Sequence, residues 1–419
     1  MTHCRVKSAY RIACKGGVFL KDKCYICYGD LTALTTASNG VINYKDGEFA
    51  LDKKKWTMTC YHAANSGANC IRLIPYGVWL CPSKEAIFTP FKFTGIQWNL
   101  DVWNPQYFMI LQKVVSIAAS YGLTVWFDLF DHCQAYTPEN SPYWNNVQGY
   151  HGFYDSKCDD INRNWILSIY DILKNVDAIF GCGNEMEWAG IELCTRVIYP
   201  KLKQLGVHPS KIAYGTHYQL GSDYTNKTME WMKRYAKDFW GEERNYIFRP
   251  VHGILASASI SDSMPYGNYV SETLDSWGNS PLRIAYSDDG TWDGKSGCDF
   301  LNYNGNIQRR PDADIWKSFC ENTMRSYSTF VDGYPKFLFE HCPKSEDVAG
   351  CQVKTLKAMA EAYMNVYGCY PSNYNKYDKP VFNKIGDIVK PVEEESPKSW
   401  YLWASLVLAI ILIVFIICC

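Results

Sequence analysis

Short apolar runs that end in polar residues recur along this chain of 419 residues and alternate with helical patterns. The run Ala178–Phe180 is too short for a helix and is typical of a buried parallel strand. Gly181 and Gly183 follow it, and glycine there allows a sharp turn and the close approach of another group. Asn184 and Glu185 come next, at the end of the strand, where parallel α/β folds place their chemistry.

The same pattern predicts seven further strands, at residues 25–28, 69–77, 123–132, 211–217, 248–254, 282–287 and 335–339. Helical periodicity separates them, at residues 55–66, 105–121, 163–173, 193–205, 229–239, 315–330 and 353–367. The helix after Asn104 has the clearest signals, because Asn104 can cap it, Pro105 suits its first position and Gly122 ends it.

Eight strands, each followed by a helix or a long loop, predict an α/β fold of the (β/α)8 TIM-barrel type. An open doubly wound sheet is the alternative. Its phosphate-binding signature is incomplete, because Gly181 and Gly183 are not followed by a third glycine and a helix. The predicted barrel domain covers residues 1–385.

A C-terminal membrane anchor is predicted from residues 400–417, which carry no charge and are long enough to span a bilayer as a single transmembrane helix. Trp400, Tyr401 and Trp403 form an aromatic belt at one interface. Residues 386–399 are a charged linker that contains prolines. The lipid bilayer is therefore a predicted partner.

Cysteine is abundant, with 18 residues, and this usage favours disulfides and an extracellular, virion-surface or cell-surface location. Cys24 and Cys27 form a lone CxxC without a second pair at zinc-site spacing. Asp289–Gly294 has the oxygen spacing of a calcium loop, but Phe300 stands where the bidentate Glu belongs. The sequence therefore predicts neither a metal nor a cofactor.

The formal net charge is −1, so no basic surplus exists to neutralise phosphates, and nucleic acid is not an expected partner. Aromatic residues make up 16%, with 15 Trp and 31 Tyr. Core packing is the commoner use of such rings. A sugar-binding cleft is the second explanation, because flat apolar sugar faces stack on rings. The candidate sugar platforms are Trp126, Trp188, Tyr214 and Trp292.

Polar residues, mostly carboxylates, collect at the predicted strand ends. They are Arg72, Asp128, Asp131, His132, Asn184, Glu185, His217, His252, Asp288, Asp289 and Glu340. Carboxylates that converge at a barrel mouth suit glycoside hydrolysis, in which one protonates the leaving oxygen and a second attacks the anomeric carbon or activates water. Because like charges raise the pKa of at least one carboxyl group, an acid can stay protonated near neutral pH.

Two motifs carry a family resemblance. Residues 67–72 read Gly-Ala-Asn-Cys-Ile-Arg, and Asn184-Glu185 ends the fourth strand. This order resembles clan A glycoside hydrolases of the cellulase and mannanase type, such as family five, which carry Gly-x-Asn-x-x-Arg on strand two and Asn-Glu on strand four. The likeness covers roughly residues 15–370. It implies an oligo- or polysaccharide substrate with β-linkages, Glu185 as the general acid/base, Asn184 on the sugar 2-hydroxyl, and His252 as the strand-six histidine.

The remaining predicted substrate contacts are Arg72, Asp128, His132, Trp126, Tyr214, His217 and Asp289. For Arg72, a structural salt bridge is an equal alternative, because a buried arginine needs a partner.

The second catalytic carboxylate departs from the family pattern. The family places a Glu on strand seven, whereas this chain has Asp288-Asp289-Gly290 there. Asp288 is the first candidate, Glu340 the second and Asp289 the third. Since aspartate is one methylene shorter, the gap to Glu185 could favour inversion or abolish activity. The alternative function is therefore a catalytically inactive barrel that binds glycan or serves as a structural membrane protein.

Overall fold

The structure is a computed structural model that describes residues 24–30, 33–37, 40–75, 83–131, 152–184, 186, 188–208, 211–216, 247–250, 283–288, 317, 321, 330–332 and 346–382. The chain divides into two units, Met1–Ile385 and Gly386–Cys419, and all the described residues belong to the first.

Within these residues the strands are β1 (Cys24–Asp30), β2 (Ile42–Lys45), β3 (Glu48–Leu51), β4 (Cys70–Leu73), β5 (Phe91–Phe93), β6 (Trp98–Trp103), β7 (Thr124–Asp128), β8 (Ala178–Gly181), β9 (Ile212–Thr216), β10 (Ile247–Pro250), β11 (Arg283–Asp288) and β12 (Phe330–Asp332). Every residue of β4, β7 and β8 is buried. That burial is expected of parallel strands that are covered on both faces, and it explains their continuous apolar runs.

Eight of these strands form one sheet in the order β10-β9-β8-β7-β4-β1-β11-β12, and each neighbouring pair is parallel. The two edge strands, β10 and β12, lie close to each other. The prediction of a parallel sheet is therefore confirmed, and in the described residues from β1 to β9 helices separate its strands.

The order of the last two strands differs from that of a regular (β/α)8 barrel, in which the eighth strand lies beside the first. Here β11 lies beside β1, with six residue pairs from Cys24↔Arg283 to Gly29↔Asp288. The three-residue β12 lies on the far side of β11. β11 therefore forms six residue pairs with β1 and three with β12, and β12 is the last strand in the order of the sheet. The predicted strand 335–339 lies outside the described residues.

The helices are α1 (Lys53–Asn65), α2 (Pro105–Ser120), α3 (Asp159–Leu173), α4 (Trp188–Leu193), α5 (Tyr199–Gln204) and α6 (Glu346–Tyr367), and a π-helical turn (Cys194–Ile198) joins α4 to α5. The predicted start of α2 is confirmed, because the Asn104 side chain accepts from the Gln106 N–H at 3.1 Å and Pro105 is the first helical residue. The predicted helix 193–205 is interrupted by the π-turn. The predicted helix 229–239 lies outside the described residues, as does nearly all of 315–330.

Two hairpins were missed by the sequence analysis. β2 pairs with β3 and β5 pairs with β6, both antiparallel. The first had a sequence signal, because the dipeptide Asp46-Gly47 is typical of a two-residue hairpin turn. Both residues have the positive φ that such a turn requires, at 54° and 85°.

The prediction of disulfides finds no support in the described part of the chain. Six cysteines there are buried free thiols, at positions 27, 60, 70, 158, 182 and 194. Their burial has a packing reason, since a free cysteine behaves as a small apolar side chain. The thiols of Cys27 and Cys70 hydrogen-bond each other, and burial raises the pKa of the Cys70 thiol well above its usual range.

The predicted transmembrane helix falls on residues for which the structure gives no test. Among the residues that the structure describes, no helix combines the length and the apolar character needed to cross a bilayer. Residues 400–417 lie outside that set.

Candidate active site

An ion pair between β4 and β7 forms the centre of the candidate site. Arg72 lies on β4 with 0% of its side chain exposed, and Asp128 ends β7 with 1% exposed. The Arg72 Nε–H donates to Asp128 Oδ2 at 2.8 Å, and Nη2 donates to the same oxygen. Because both side chains are buried, each depends on the other: removal of either partner would leave an uncompensated charge in the core.

Trp126 and Gly181 fix the position of Asp128. The Trp126 indole N–H donates to Asp128 Oδ1 at 2.9 Å, so both carboxylate oxygens are bonded. The Arg72 guanidinium carbon lies 5.3 Å from the centre of the Trp126 ring, which is cation–π range. A Cβ at Gly181 would stand 1.8 Å from Asp128 Oδ1. The group whose close approach the glycine was predicted to allow is therefore Asp128.

Asn184 connects this ion pair to the segment that carries Glu185. The Arg72 Nη2 donates to Asn184 Oδ1 at 2.8 Å, and the Asn184 Nδ2 donates to Asp131 Oδ1 at 3.1 Å. The Asn184 backbone N–H donates to the Phe130 carbonyl at 2.8 Å, and Asn184 and Asp131 form an isolated parallel bridge. Arginine can only donate and an ionised aspartate can only accept, so the orientation of the amide is determined by its two partners.

These residues are deeply buried. Arg72, Asp128, Asp131, Asn184 and Trp126 are each at most 1% exposed. Arg72 hydrogen-bonds Asp128 and Asn184, and Asp128 also accepts from Trp126. The predicted contact of Arg72 and Asp128 with substrate stays a prediction. The Trp126 ring lies in the core and is bonded through its N–H to Asp128. Its use as a sugar platform stays a prediction, and stacking on a sugar would require access to a ring that is 1% exposed.

Other predicted site residues lie outside the described part of the chain. They are Glu185, His132, His217, His252, Asp289 and Glu340, with Trp292 among the candidate platforms. For Tyr214, Trp188 and Asp288 only the backbone is described.

Asp288 can be placed by register. Gly29 of β1 pairs with Arg72 on one side and with Asp288 on the other. Asp288 is therefore level with Arg72 and two strands away. Neighbouring strands are spaced at about 4.8 Å, so the two Cα atoms are about 10 Å apart.

Asp131 is the residue whose importance the sequence analysis missed. It was noted as a strand-end carboxylate, but no role was assigned to it. Its signal was weak, because it lies three residues past the end of β7 and the chain between gives no pattern that directs it to Asn184. The contact becomes visible only when β7 and β8 are paired.

Two buried thiols lie beside the candidate site. Cys182 lies between the two glycines and hydrogen-bonds the thiol of Cys194, and burial raises the pKa of the Cys194 thiol well above its usual range. The described residues contain no cluster of three or more His, Cys, Asp or Glu side chains that could hold a metal ion.

No family model matches the chain, and no curated protein matches its sequence. Solved structures to which it is similar include a broad-specificity endoglucanase of the GH5-4 type from an uncultured bacterium, at 11% identity and a TM-score of 0.45, covering 81% of this chain and 95% of that one. Another is a glycoside hydrolase family 5 enzyme from Prevotella bryantii, at 11% identity and a TM-score of 0.42, covering 82% and 97%. A third is a family 5 mannosidase from Rhizomucor miehei, at 10% identity and a TM-score of 0.43, covering 82% and 95%.

These structures belong to the family that the strand-two and strand-four motifs resemble. At such low identity and TM-score, the similarity does not identify an activity. A function for this chain has to be inferred from its own residues.

Proposed function

We propose that this protein is a glycoside hydrolase that cleaves β-linked glycans, with Glu185 as the general acid/base. One observation carries the proposal. Arg72 and Asn184, which belong to the two motifs and are 112 positions apart in sequence, meet in a buried hydrogen bond of 2.8 Å. A charged and buried hydrogen-bond network behind a strand-end Asn-Glu pair is the kind of support that a catalytic carboxyl group needs.

The chemistry assigned to Glu185 is proton transfer to the leaving oxygen, followed by removal of a proton from water. Asn184 supports it by holding the segment that carries Glu185, through its hydrogen bonds with Arg72 and Asp131. The family resemblance also makes its amide the proposed contact to the sugar 2-hydroxyl. Asp288 is the proposed second carboxylate, because its backbone is level with Arg72, and Glu340 is the substitute. A carboxyl separation of about 5–5.5 Å would give retention, and about 6.5–9.5 Å inversion.

Glu185→Gln tests the acid/base role on aryl β-glycosides with poor and good leaving groups. We expect kcat/KM to fall by about 10²–10⁴-fold on the poor leaving group and much less on the good one, because a good leaving group needs little protonation. Asp288→Asn should impair both substrates. Asp101→Asn is the matched control, since Asp101 is an exposed carboxylate on β6. An unchanged rate in Glu185→Gln on both substrates would remove Glu185 from the mechanism.

A catalytically inactive, glycan-binding barrel is the second candidate. The shorter Asp288 in the strand-seven position favours it, because one missing methylene widens the gap between the carboxyl groups. Binding to a glycan array without any release of reducing sugar would support this function, and measurable hydrolysis would exclude it.

Membrane anchoring through residues 400–417 is also part of the proposal. It is supported by the uncharged apolar run and its aromatic flank.

A further inference from the structure

Met186, the residue directly after Glu185, has a closely fitted position in the fold. Its side chain is 0% exposed. A Cβ at Gly183 would stand 2.5 Å from Met186 Sδ, and one at Gly190 would stand 2.8 Å from Met186 Cβ. Side-chain atoms almost never approach this closely, so only glycine on both sides leaves room for the methionine.

A tyrosine holds the thioether from the third side. The Tyr154 hydroxyl donates to Met186 Sδ at 3.6 Å. Sulfur is a weak acceptor, but this contact is partly buried and gives Met186 a polar tether in addition to its packing.

Tyr154 is itself well anchored. Arg196, in the π-helical turn, donates from Nη2 to the Tyr154 carbonyl at 2.8 Å. Its Nε donates to both oxygens of Asp159, at 3.0 and 2.8 Å. The π-helical turn therefore carries the arginine that holds the segment of Tyr154, which contacts Met186. Such turns often occur at functional sites.

The two neighbours of Glu185 are thus anchored independently. Asn184 is held by Arg72, Asp131 and the Phe130 carbonyl, whereas Met186 is held by the two glycines and Tyr154. The first set of contacts belongs to the polar network, and the second belongs to the segment between β7 and α3 and to the turn after α4. The contacts of Asn184 do not account for the contacts of Met186.

We infer that Met186, tethered by Tyr154, is a positioning residue that sets the backbone from which Glu185 projects. The inference rests on the proposed function of Glu185. A general acid has to lie within hydrogen-bond reach of the leaving oxygen, and a displacement of about 1 Å can cost about a hundredfold in rate. Anchors on both flanking residues restrict the backbone torsions that would allow such a displacement.

The test uses the full-length protein and three conservative variants. Tyr154→Phe removes the hydroxyl donor and keeps the ring. Met186→Leu keeps an apolar side chain of similar volume and removes the sulfur acceptor. Met359→Leu is the matched control, because Met359 is also 0% exposed but lies on α6. Glu185→Gln is measured beside them.

Two readouts are combined for each variant, hydrogen exchange of the peptide 181–190 and steady-state kinetics on an aryl β-glycoside. In Tyr154→Phe and Met186→Leu we expect exchange of the peptide to be about fivefold to tenfold faster. We expect kcat to fall about tenfold to a hundredfold with KM nearly unchanged. Met359→Leu should leave both readouts at the wild-type level, although its melting temperature falls by a similar amount. A merely structural role for Met186 would lower the melting temperature without lowering kcat.

Unchanged exchange at 181–190 in both variants would overturn the inference whatever the activity. Faster exchange with a wild-type kcat would also overturn it, and the proposed function would stand if Glu185→Gln were inactive in the same assay. An inactive wild type on every glycoside tested would overturn the proposed function first, and the inference with it.

Discussion

At the scale of single residues, the candidate site depends on side chains whose roles are set by their partners. Gly181 is needed because Asp128 occupies the space of a Cβ, and Asp128 is needed because Arg72 is buried. Trp126 and Asn184 complete the bonds of these two charges. The result is a polar network inside an apolar core, in which each member is costly to remove on its own.

Arg72→Met should therefore destabilise the fold by about 3–5 kcal/mol, because it leaves Asp128 buried without its cation. Arg163→Met is the matched control. Arg163 pairs with Asp160 at 2.7 Å, but the two side chains are 40% and 93% exposed, so this change should cost at most about 1 kcal/mol. Chemical denaturation measures the free energy of unfolding of both variants. Equal losses would mean that the buried pair stabilises the fold no more than the exposed pair does.

His62 should make the fold sensitive to acid. Burial lowers the pKa of His62 from 6.5 to about 4 in the folded state. Between these values the unfolded chain binds the proton and the folded chain does not. The stability contribution is therefore complete above about pH 6.5 and is lost as the pH falls toward 4. The imidazole is partly accessible, so we expect a loss of about 1–2 kcal/mol in the free energy of unfolding, which is less than the full pKa shift would give.

Denaturant unfolding at pH 7 and pH 4.5 measures this loss, and His62→Gln should reduce it. His208→Gln is the control, because His208 is exposed. If His62→Gln keeps the wild-type dependence on pH, the acid sensitivity has another source.

At the scale of elements, the C-terminal strap, residues 368–382, holds the first two helices. Asn65, the last residue of α1, donates from Nδ2 to the Tyr377 carbonyl at 2.6 Å and accepts the Tyr377 N–H at 2.9 Å. The Tyr121 hydroxyl, just after α2, accepts the Val381 N–H at 2.9 Å, and the rings of Tyr121 and Tyr377 lie 5.0 Å apart. These contacts fasten the strap across the helix ends that precede β4 and β7.

Asn65→Ala should lower stability by about 1–3 kcal/mol, because it breaks both side-chain hydrogen bonds to the strap. The strap should then be cleaved faster in limited proteolysis. Asn164→Ala is the control, since Asn164 is an exposed asparagine on α3. If the strap of Asn65→Ala is cleaved at the wild-type rate, the other contacts of the strap are sufficient to hold it.

At the scale of the whole molecule, the parallel sheet brings residues together at both of its ends. The carboxyl ends of β4, β7 and β8 carry the candidate site. At the opposite end, the Lys211 ammonium donates to Asp177 at 2.6 Å and to the Tyr25 hydroxyl at 3.2 Å. Thr124 donates to the same aspartate at 2.6 Å. This second polar cluster joins the starts of four strands. Burial, followed by the charge of Asp177, raises the pKa of Tyr25, so its hydroxyl stays neutral and can take part in hydrogen bonds.

The anchor proposal belongs to the same scale. The full-length protein should remain in the membrane fraction after alkaline carbonate extraction, because residues 400–417 carry no charge and are almost entirely apolar. A chain with Leu408→Lys and Ile411→Lys should be released, since each lysine at the centre of a bilayer costs about 2.5–3.5 kcal/mol. Release of the wild-type chain by carbonate would contradict the proposal.

Much of the fold could be predicted from sequence where the signal is local. The cap at Asn104, the buried runs of β4, β7 and β8, and the polar residues at their ends are all set by nearby residues. The site could be predicted only in part. Arg72, Asp128 and Asn184 were found because they follow apolar runs, whereas the role of Asp131 depends on which strands become neighbours.

By itself, the sequence determined the buried strands β4, β7 and β8, the helices beside them, and the collection of carboxylates at the strand ends, because apolar periodicity, caps and glycines act over a few residues. The tertiary structure alone decided which of these residues meet. The bond from Arg72 to Asn184, the pairing of β11 with β1, and the burial of thiols that were expected to form disulfides are contacts between distant segments. Such contacts follow from how the whole core packs, and no short stretch of sequence specifies them.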